Sequence, residues 1–100
     1  MIVYNETIKI DERIHEEWLD WIKTVHLPAI MATGKFSENR ICRILQEEED
    51  GGVTYAIQYH SPDMDTFKRY QQEDAARFQR MHMDRYRDRY VAFRTLMEIV

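Results

Sequence analysis

Two histidines and a set of polar residues on otherwise apolar stretches are the groups in this chain best suited to chemistry. His26 falls on the flank of a helical stretch beside His15 and Leu19, about a quarter turn from the centre of its apolar stripe and two residues before Pro28. An ordinary imidazole titrates near neutrality, so His26 is a candidate general acid or base; the competing role is a partly exposed ring bonded to a carbonyl that the proline frees. His82 lies on the apolar stripe of a second helix, in Met81-His82-Met83, where a core histidine bonded to backbone is the ordinary case. Asn5, Thr7, Arg43, Gln58, Arg94 and Glu98 are polar positions on strands. A buried arginine needs an anion, so Arg43 and Arg94 are expected either to pair with acids such as Glu6 and Glu98 or to hold an anionic small ligand.

Other features argue against whole classes of function. There is no Gly-rich phosphate loop, no HExxH and no Cys/His pair at zinc spacing, so neither a metal nor a cofactor is expected. Glu47-Glu48-Glu49-Asp50 reads as a solvated hairpin tip that would at most attract a divalent cation. Tyr4, Tyr55 and Tyr59 occupy strands on which RNA-recognition domains stack bases. However, the third strand reads G-V-T-Y-A-I-Q-Y without the Lys/Arg-Gly-Phe opening, the formal charge is −4, and the arginines alternate with acids, so no nucleic-acid partner is expected. The single Cys42 fits a reducing compartment and is expected to be a small buried hydrophobe. The stretch MIVYNETIKIDE has no basic n-region and its apolar residues are interrupted by polar ones. It reads as neither a signal peptide nor a membrane span, and a cytoplasmic protein with no membrane partner is expected.

The elements that must position these groups are legible from periodicity. Residues 2–10 alternate, with Ile2, Tyr4, Glu6, Ile8 and Ile10 on one face and Val3, Asn5, Thr7 and Lys9 on the other, which predicts a strand. Ile14, Trp18, Trp21, Ile22, Val25 and Ala29 recur at helical spacing and predict a helix over 12–32, capped by Asp11, kinked near Pro28 and ended by Gly34. Strands are predicted over 40–48 and 53–60 around the turn Asp50-Gly51-Gly52. A second helix begins at Ser61-Pro62-Asp63, carries Met64, Phe67, Tyr70, Ala75, Phe78, Met81 and His82 on one stripe, and has a candidate break at Glu73-Asp74. A last strand covers 90–100. The order strand, helix, strand, strand, helix, strand predicts one α+β domain over residues 1–100: a four-stranded antiparallel sheet with two helices on one face. Val91, Phe93, Met97 and Ile99 form a second apolar strip that helices on one face leave uncovered, so a homodimer through the sheet face is expected.

This order, with a first helix reading W-L-D-W-I-K-T-V-H-L-P over residues 18–28, resembles the dimeric α/β-barrel superfamily of ferredoxin-like βαββαβ proteins. That superfamily includes antibiotic-biosynthesis monooxygenases, muconolactone isomerases, stress-responsive barrel proteins and haem-degrading enzymes. More closely, Tyr4-Asn5, His26-x-Pro28, Gly34-x-Phe36, Cys42-Arg43 and Phe93-Arg94-Thr95 look like a family of short bacterial proteins of unknown function within that fold. The resemblance covers nearly the whole chain and implies a small-molecule pocket between sheet and helices. It makes His26 the candidate proton-transfer group, Asn5 and Arg43 or Arg94 polar anchors, and Ile22, Tyr55 and Phe67 apolar walls. The implied chemistry is cofactor-free oxygenation, isomerisation or proton transfer. A non-catalytic dimeric binding or scaffold module is the alternative. A third reading is a haem protein, in which the resemblance implies His82 as iron ligand and Asn5 as its companion, although the tryptophan those enzymes use is replaced in this region by Phe67 and Tyr70.

Overall fold

The computed structural model describes residues 1–46 and 50–100. Four strands, β1 (Ile2–Asp11), β2 (Glu38–Arg43), β3 (Gly52–Ser61) and β4 (Tyr90–Glu98), form one antiparallel sheet in the order β2-β3-β1-β4. Directly paired residues share a face, so the registers sort every side chain. Glu6 stands between Ile57 and Arg94, Ile8 between Tyr55 and Ala92, and Ile10 between Val53 and Tyr90. Asn5 stands between Gln58 and Thr95, and Thr7 between Ala56 and Phe93, on the opposite face. The first set is covered by helices. The second is open, and Val91 and Phe93 are exposed there. The acidic stretch at residues 47–49 lies outside the described residues, while Asp50 pairs with Lys9 at 2.7 Å.

Each of the two covering helices is interrupted. The first begins with a 3-10 turn at Glu12–Ile14, where the Asp11 carboxylate accepts the Arg13 N–H at 2.9 Å. It continues as α1 (His15–Trp21), a π-turn at Ile22–His26 and α2 (Leu27–Met31). Pro28 sits in the first turn of α2, so the perturbation expected near the proline takes the form of this wider turn. Proline withholds one N–H and crowds the carbonyl four residues back, and the π-turn just before it absorbs that mismatch without ending the helix. The consequence is a change of face. One extra residue in a turn rotates the remainder of the helix by about 100°. The expected stripe therefore holds through Trp18, Trp21 and Ile22, then moves: Val25 is exposed, and His26, Leu27 and Ile30 are buried in its place.

The second helix repeats the device as α3 (Met64–Tyr70), a π-turn at Gln71–Ala75 and α4 (Ala76–Tyr86). Asp63 caps it, accepting the Thr66 N–H at 2.8 Å. The break expected at Glu73-Asp74 is this π-turn. It presents both carboxylates to the Lys35 ammonium, with Glu73 at 2.6 Å and Asp74 in closer contact still. Phe67, Tyr70, Ala75, Phe78, His82 and Tyr86 face the sheet, whereas Met64 and Met81 are exposed. Gly34, after α2, has a φ of 75° and supplies the left-handed turn toward β2. The second strand is shorter than predicted, ending at Arg43, and Cys42 is exposed on this edge strand rather than buried.

Candidate functional site

Between the sheet and the helices the core changes from apolar to polar around one carboxylate. Glu6 interrupts the apolar face of β1 between Tyr4 and Ile8, and its side chain is 12% exposed. Its cross-strand neighbour Arg94 donates from Nε at 3.1 Å. Burial pushes the Glu6 carboxyl above the ordinary range, and the Arg94 charge pulls in the opposite direction. Three phenols surround this pair. Burial, then the Glu6 charge, raises Tyr4 to about 12 and holds Tyr59 and Tyr70 well above their ordinary value. All three are neutral hydroxyls at pH 7. The Tyr59 hydroxyl feels the Glu6 charge, yet it is buried without a hydrogen bond of good geometry.

The helices bring two imidazoles to the same cleft. His26, at the end of the first π-turn, stacks on Trp21 with ring centres 4.7 Å apart and meets the edge of Phe78 at 5.8 Å. Burial lowers its pKa to about 4, so the ring is neutral. Its Nδ1 is buried with no partner. His82, 5.9 Å from His26 between ring centres, is also lowered to about 4, by burial first, then by the repulsion a protonated His26 would exert and by the charge of Arg94. Its Nε2 accepts the indole N–H of Trp18 at 2.8 Å. An indole nitrogen only donates, so neutral His82 carries its proton on Nδ1. Ile22, Tyr70, Phe78, Gln79, Tyr90 and Ala92 complete the walls. The free space is about 10 Å³, room for roughly one water.

Of the residues nominated from sequence, His26, Ile22, His82 and Arg94 converge on this cleft. Tyr55 and Phe67 pack beside it. Tyr55 lies under Trp18 at 5.2 Å with its hydroxyl 3.2 Å from His15 Nδ1, and Phe67 lies against Tyr4 at 5.1 Å. Asn5 does not belong to the cleft. Strand alternation places it on the open face, where its amide donates to Thr7 at 3.0 Å. Arg43 shares a register with Tyr55 but lies exposed at the end of the edge strand, two strands across the sheet from Glu6 and two residues off its register. Glu6, Tyr59, Tyr70 and Gln79 were not nominated as site residues. Glu6 carried a readable signal as an acid on the apolar face of an alternating strand, and Tyr59 as an aromatic on the alternating third strand. The Trp18 hydrogen bond also engages the imidazole nitrogen of His82 that an iron ligand of the haem type would offer. Among the described residues, no group of three or more His, Cys, Asp or Glu side chains is arranged to hold a metal ion.

A four-stranded antiparallel sheet in this order, with helices closing a polar cleft on one face, defines a ferredoxin-like α+β protein. The chain belongs to the DUF4286 family, a domain of unknown function, which it matches over residues 1–100. No curated protein matches the sequence. Solved structures share the fold at low identity. HapK from Hahella chejuensis is 13% identical with a TM-score of 0.71, covering 100% of this chain and 93% of that one. A dimeric ferredoxin-like protein from an uncultured marine organism is 11% identical with a TM-score of 0.66, covering 99% and 96%. A mutant form of SnoaB, a cofactor-independent oxygenase from Streptomyces nogalater, is 14% identical with a TM-score of 0.63, covering 98% and 91%. Among the described residues, no helix is long and apolar enough to cross a membrane.

Proposed function

We propose that residues 1–100 act as one domain of a homodimeric small-molecule-binding protein whose ligand occupies the helix–sheet cleft, with His26 as the group that accepts or returns a proton. One observation carries this reading: His26 Nδ1 is buried in this cleft without a partner, beside a Tyr59 hydroxyl that turns to the Glu6 carboxylate. An unpaired buried donor or acceptor costs about 1–3 kcal/mol, so the orphaned His26 nitrogen is a place where a bound molecule adds what the protein lacks. His26 held neutral presents a lone pair, and the neighbouring phenols and the Glu6–Arg94 pair supply polarity without a cofactor. A cofactor-independent oxygenase is built on this fold, so such chemistry is compatible with the architecture. Exposed Val91, Phe93 and Met97 on the open face support dimerisation through that face.

The test is a binding screen of small aromatic and aliphatic compounds read by the ring-nitrogen NMR signals of His26. A compound that moves the His26 Nδ1 signal, and whose binding followed by calorimetry is weakened in His26→Phe, is expected. A high-resolution crystal structure with a single water bonded to His26 Nδ1, together with a screen that leaves the signal unmoved, overturns the ligand site. The small free space of the cleft, about 10 Å³, favours a second reading in that event: a non-catalytic dimeric module whose polar core is structural.

A further inference from the structure

The strand β2 is an edge of the sheet, and half of its backbone polar groups point away from β3. At its two ends the N–H groups of Ser37 and Ile44 donate to the carbonyls of His60 and Thr54, at 2.8 and 2.9 Å. Between them Glu38, Arg40 and Cys42 stand opposite His60, Gln58 and Ala56 as the bonded pairs of the ladder. Antiparallel alternation therefore turns the N–H and C=O groups of Asn39, Ile41 and Arg43 outward, where they meet no partner among the described residues. Beside this edge α2 leaves a groove of about 380 Å³, walled by Leu27, Pro28, Met31 and Ile41, with the exposed Lys23 and Arg40 on its border. Among the described residues neither cation has an ion pair, and nor has Arg43 at the end of the strand. The acid of β2, Glu38, is turned to His60 at 3.2 Å.

From this arrangement we infer that the β2 edge is a docking site for an acidic, extended segment of a partner protein, which adds a strand to the sheet and sets apolar side chains into the α2–β2 groove. Strand addition takes its affinity from main-chain hydrogen bonds and its specificity from pockets for alternate side chains. The outward groups of Asn39, Ile41 and Arg43 supply the first, and the groove on the Ile41 face supplies the second. Apolar positions two apart on the segment meet Leu27, Met31 and Ile41, and the positions between them turn to the face that carries Arg40. Charge selects the occupant. Three unpaired cations, Lys23, Arg40 and Arg43, border this edge in a chain whose formal charge is −4. They attract an acidic strand and resist a second copy of this one, since edge-to-edge pairing would set the arginines of both copies along one short ribbon. The groove itself opens on the helix side of the sheet, away from the face proposed for dimerisation.

The probes are short peptides blocked at both ends, added to the full chain and followed by hydrogen exchange of its backbone amides in NMR. One alternates glutamate and leucine, one alternates lysine and leucine, and the third is the glutamate peptide with its backbone nitrogens methylated. The glutamate peptide is expected to slow exchange at Asn39, Ile41 and Arg43 about tenfold or more, while Glu38, Arg40 and Cys42, already bonded to β3, change little. The lysine peptide is expected to bind at least about tenfold more weakly, because it repels each of the three cations. The methylated peptide keeps its side chains but loses its donors, and is expected not to protect these amides. Arg40→Glu is expected to reduce the preference for glutamate over lysine several-fold. Asn39→Pro removes one outward N–H and no bond to β3, and is expected to weaken the glutamate peptide. Each variant is first checked for a wild-type-like amide spectrum, and the three peptides on the wild type decide if both variants fail to fold. Outward amides left unprotected by the glutamate peptide, equal binding of the glutamate and lysine peptides, or undiminished binding of the methylated one overturns the inference. So does protection of these amides in the free protein that grows with its concentration, which assigns the edge to a second copy.

Discussion

The indole N–H of Trp18 donates to Nε2 of His82 at 2.8 Å, across 64 residues of sequence, and thereby decides which nitrogen of the imidazole carries the proton. Trp18 is fully buried and otherwise packs on Tyr55, so its nitrogen has nowhere else to go. Trp18→Phe keeps most of the packing and removes the donor. We expect a loss of about 1–3 kcal/mol in urea denaturation, the cost of stranding the His82 acceptor. We also expect the His82 pKa to rise above about 4 in an NMR titration, because its neutral form loses a stabilising bond. Unchanged stability and an unchanged titration would show that the bond contributes nothing.

His26 carries the opposite expectation. Its Nδ1 is an unpaired buried atom, so His26→Phe keeps an aromatic ring against Trp21 and Phe78 while removing the orphan. Thermal denaturation of the ligand-free protein is expected to show equal or greater stability, by up to about 1–2 kcal/mol. A clear loss of stability would mean that the imidazole is held by a bond that stabilises the fold, and the case for a site at His26 would weaken.

The two imidazoles also set a pH window. Each titrates near 4 in the folded protein against 6.5 as a free group, so between these values the unfolded chain binds more protons. Stability therefore falls as pH drops from about 6.5 to 4, by up to about 1.4 kcal/mol per pH unit for each imidazole, and levels off below. Glu6 works in the other direction between 4.5 and its raised value, because there the folded state holds the extra proton. The lowered carboxyls Asp11 and Asp74 act only below their ordinary value of 3.8. Denaturation midpoints measured at pH 7, 5.5 and 4.5 should decline, and His26→Phe should flatten the decline. A midpoint that does not change over this range would show that the imidazoles are accessible to protons in the native state.

On the open face of the sheet, Phe93 sits opposite Thr7 and is 63% exposed in the single chain. If a second copy covers it, light scattering of the wild type gives a dimer. Phe93→Glu, which places a charge in the middle of the contact, gives a folded monomer with an unchanged circular dichroism spectrum. A wild-type monomer at micromolar concentration rules out the sheet-face dimer.

Local pattern was enough for much of this molecule. Period-two alternation in residues 2–10 and 53–60 grouped Tyr4 with Glu6, and Tyr55 with Tyr59, on shared faces, because a pleated strand leaves a side chain only two directions. The turn at Asp50-Gly51-Gly52 and the left-handed Gly34 follow from backbone freedom that few residues possess. The order of these elements, read with the right-handed preference of their connections, narrows the fold to few candidates. The face of His26 is a different matter. It depends on a π-turn, and whether a helix takes one extra residue is settled by what the rotated side chains then pack against. Here these are Trp21, Phe78 and His82, two of them more than fifty positions away. The same holds for the Glu6–Arg94 pair and the exclusion of Asn5 from the cleft. The pair rests on how β1 lines up with β4, a register that no stretch of sequence carries alone, and the exclusion of Asn5 on which face of β1 the helices cover.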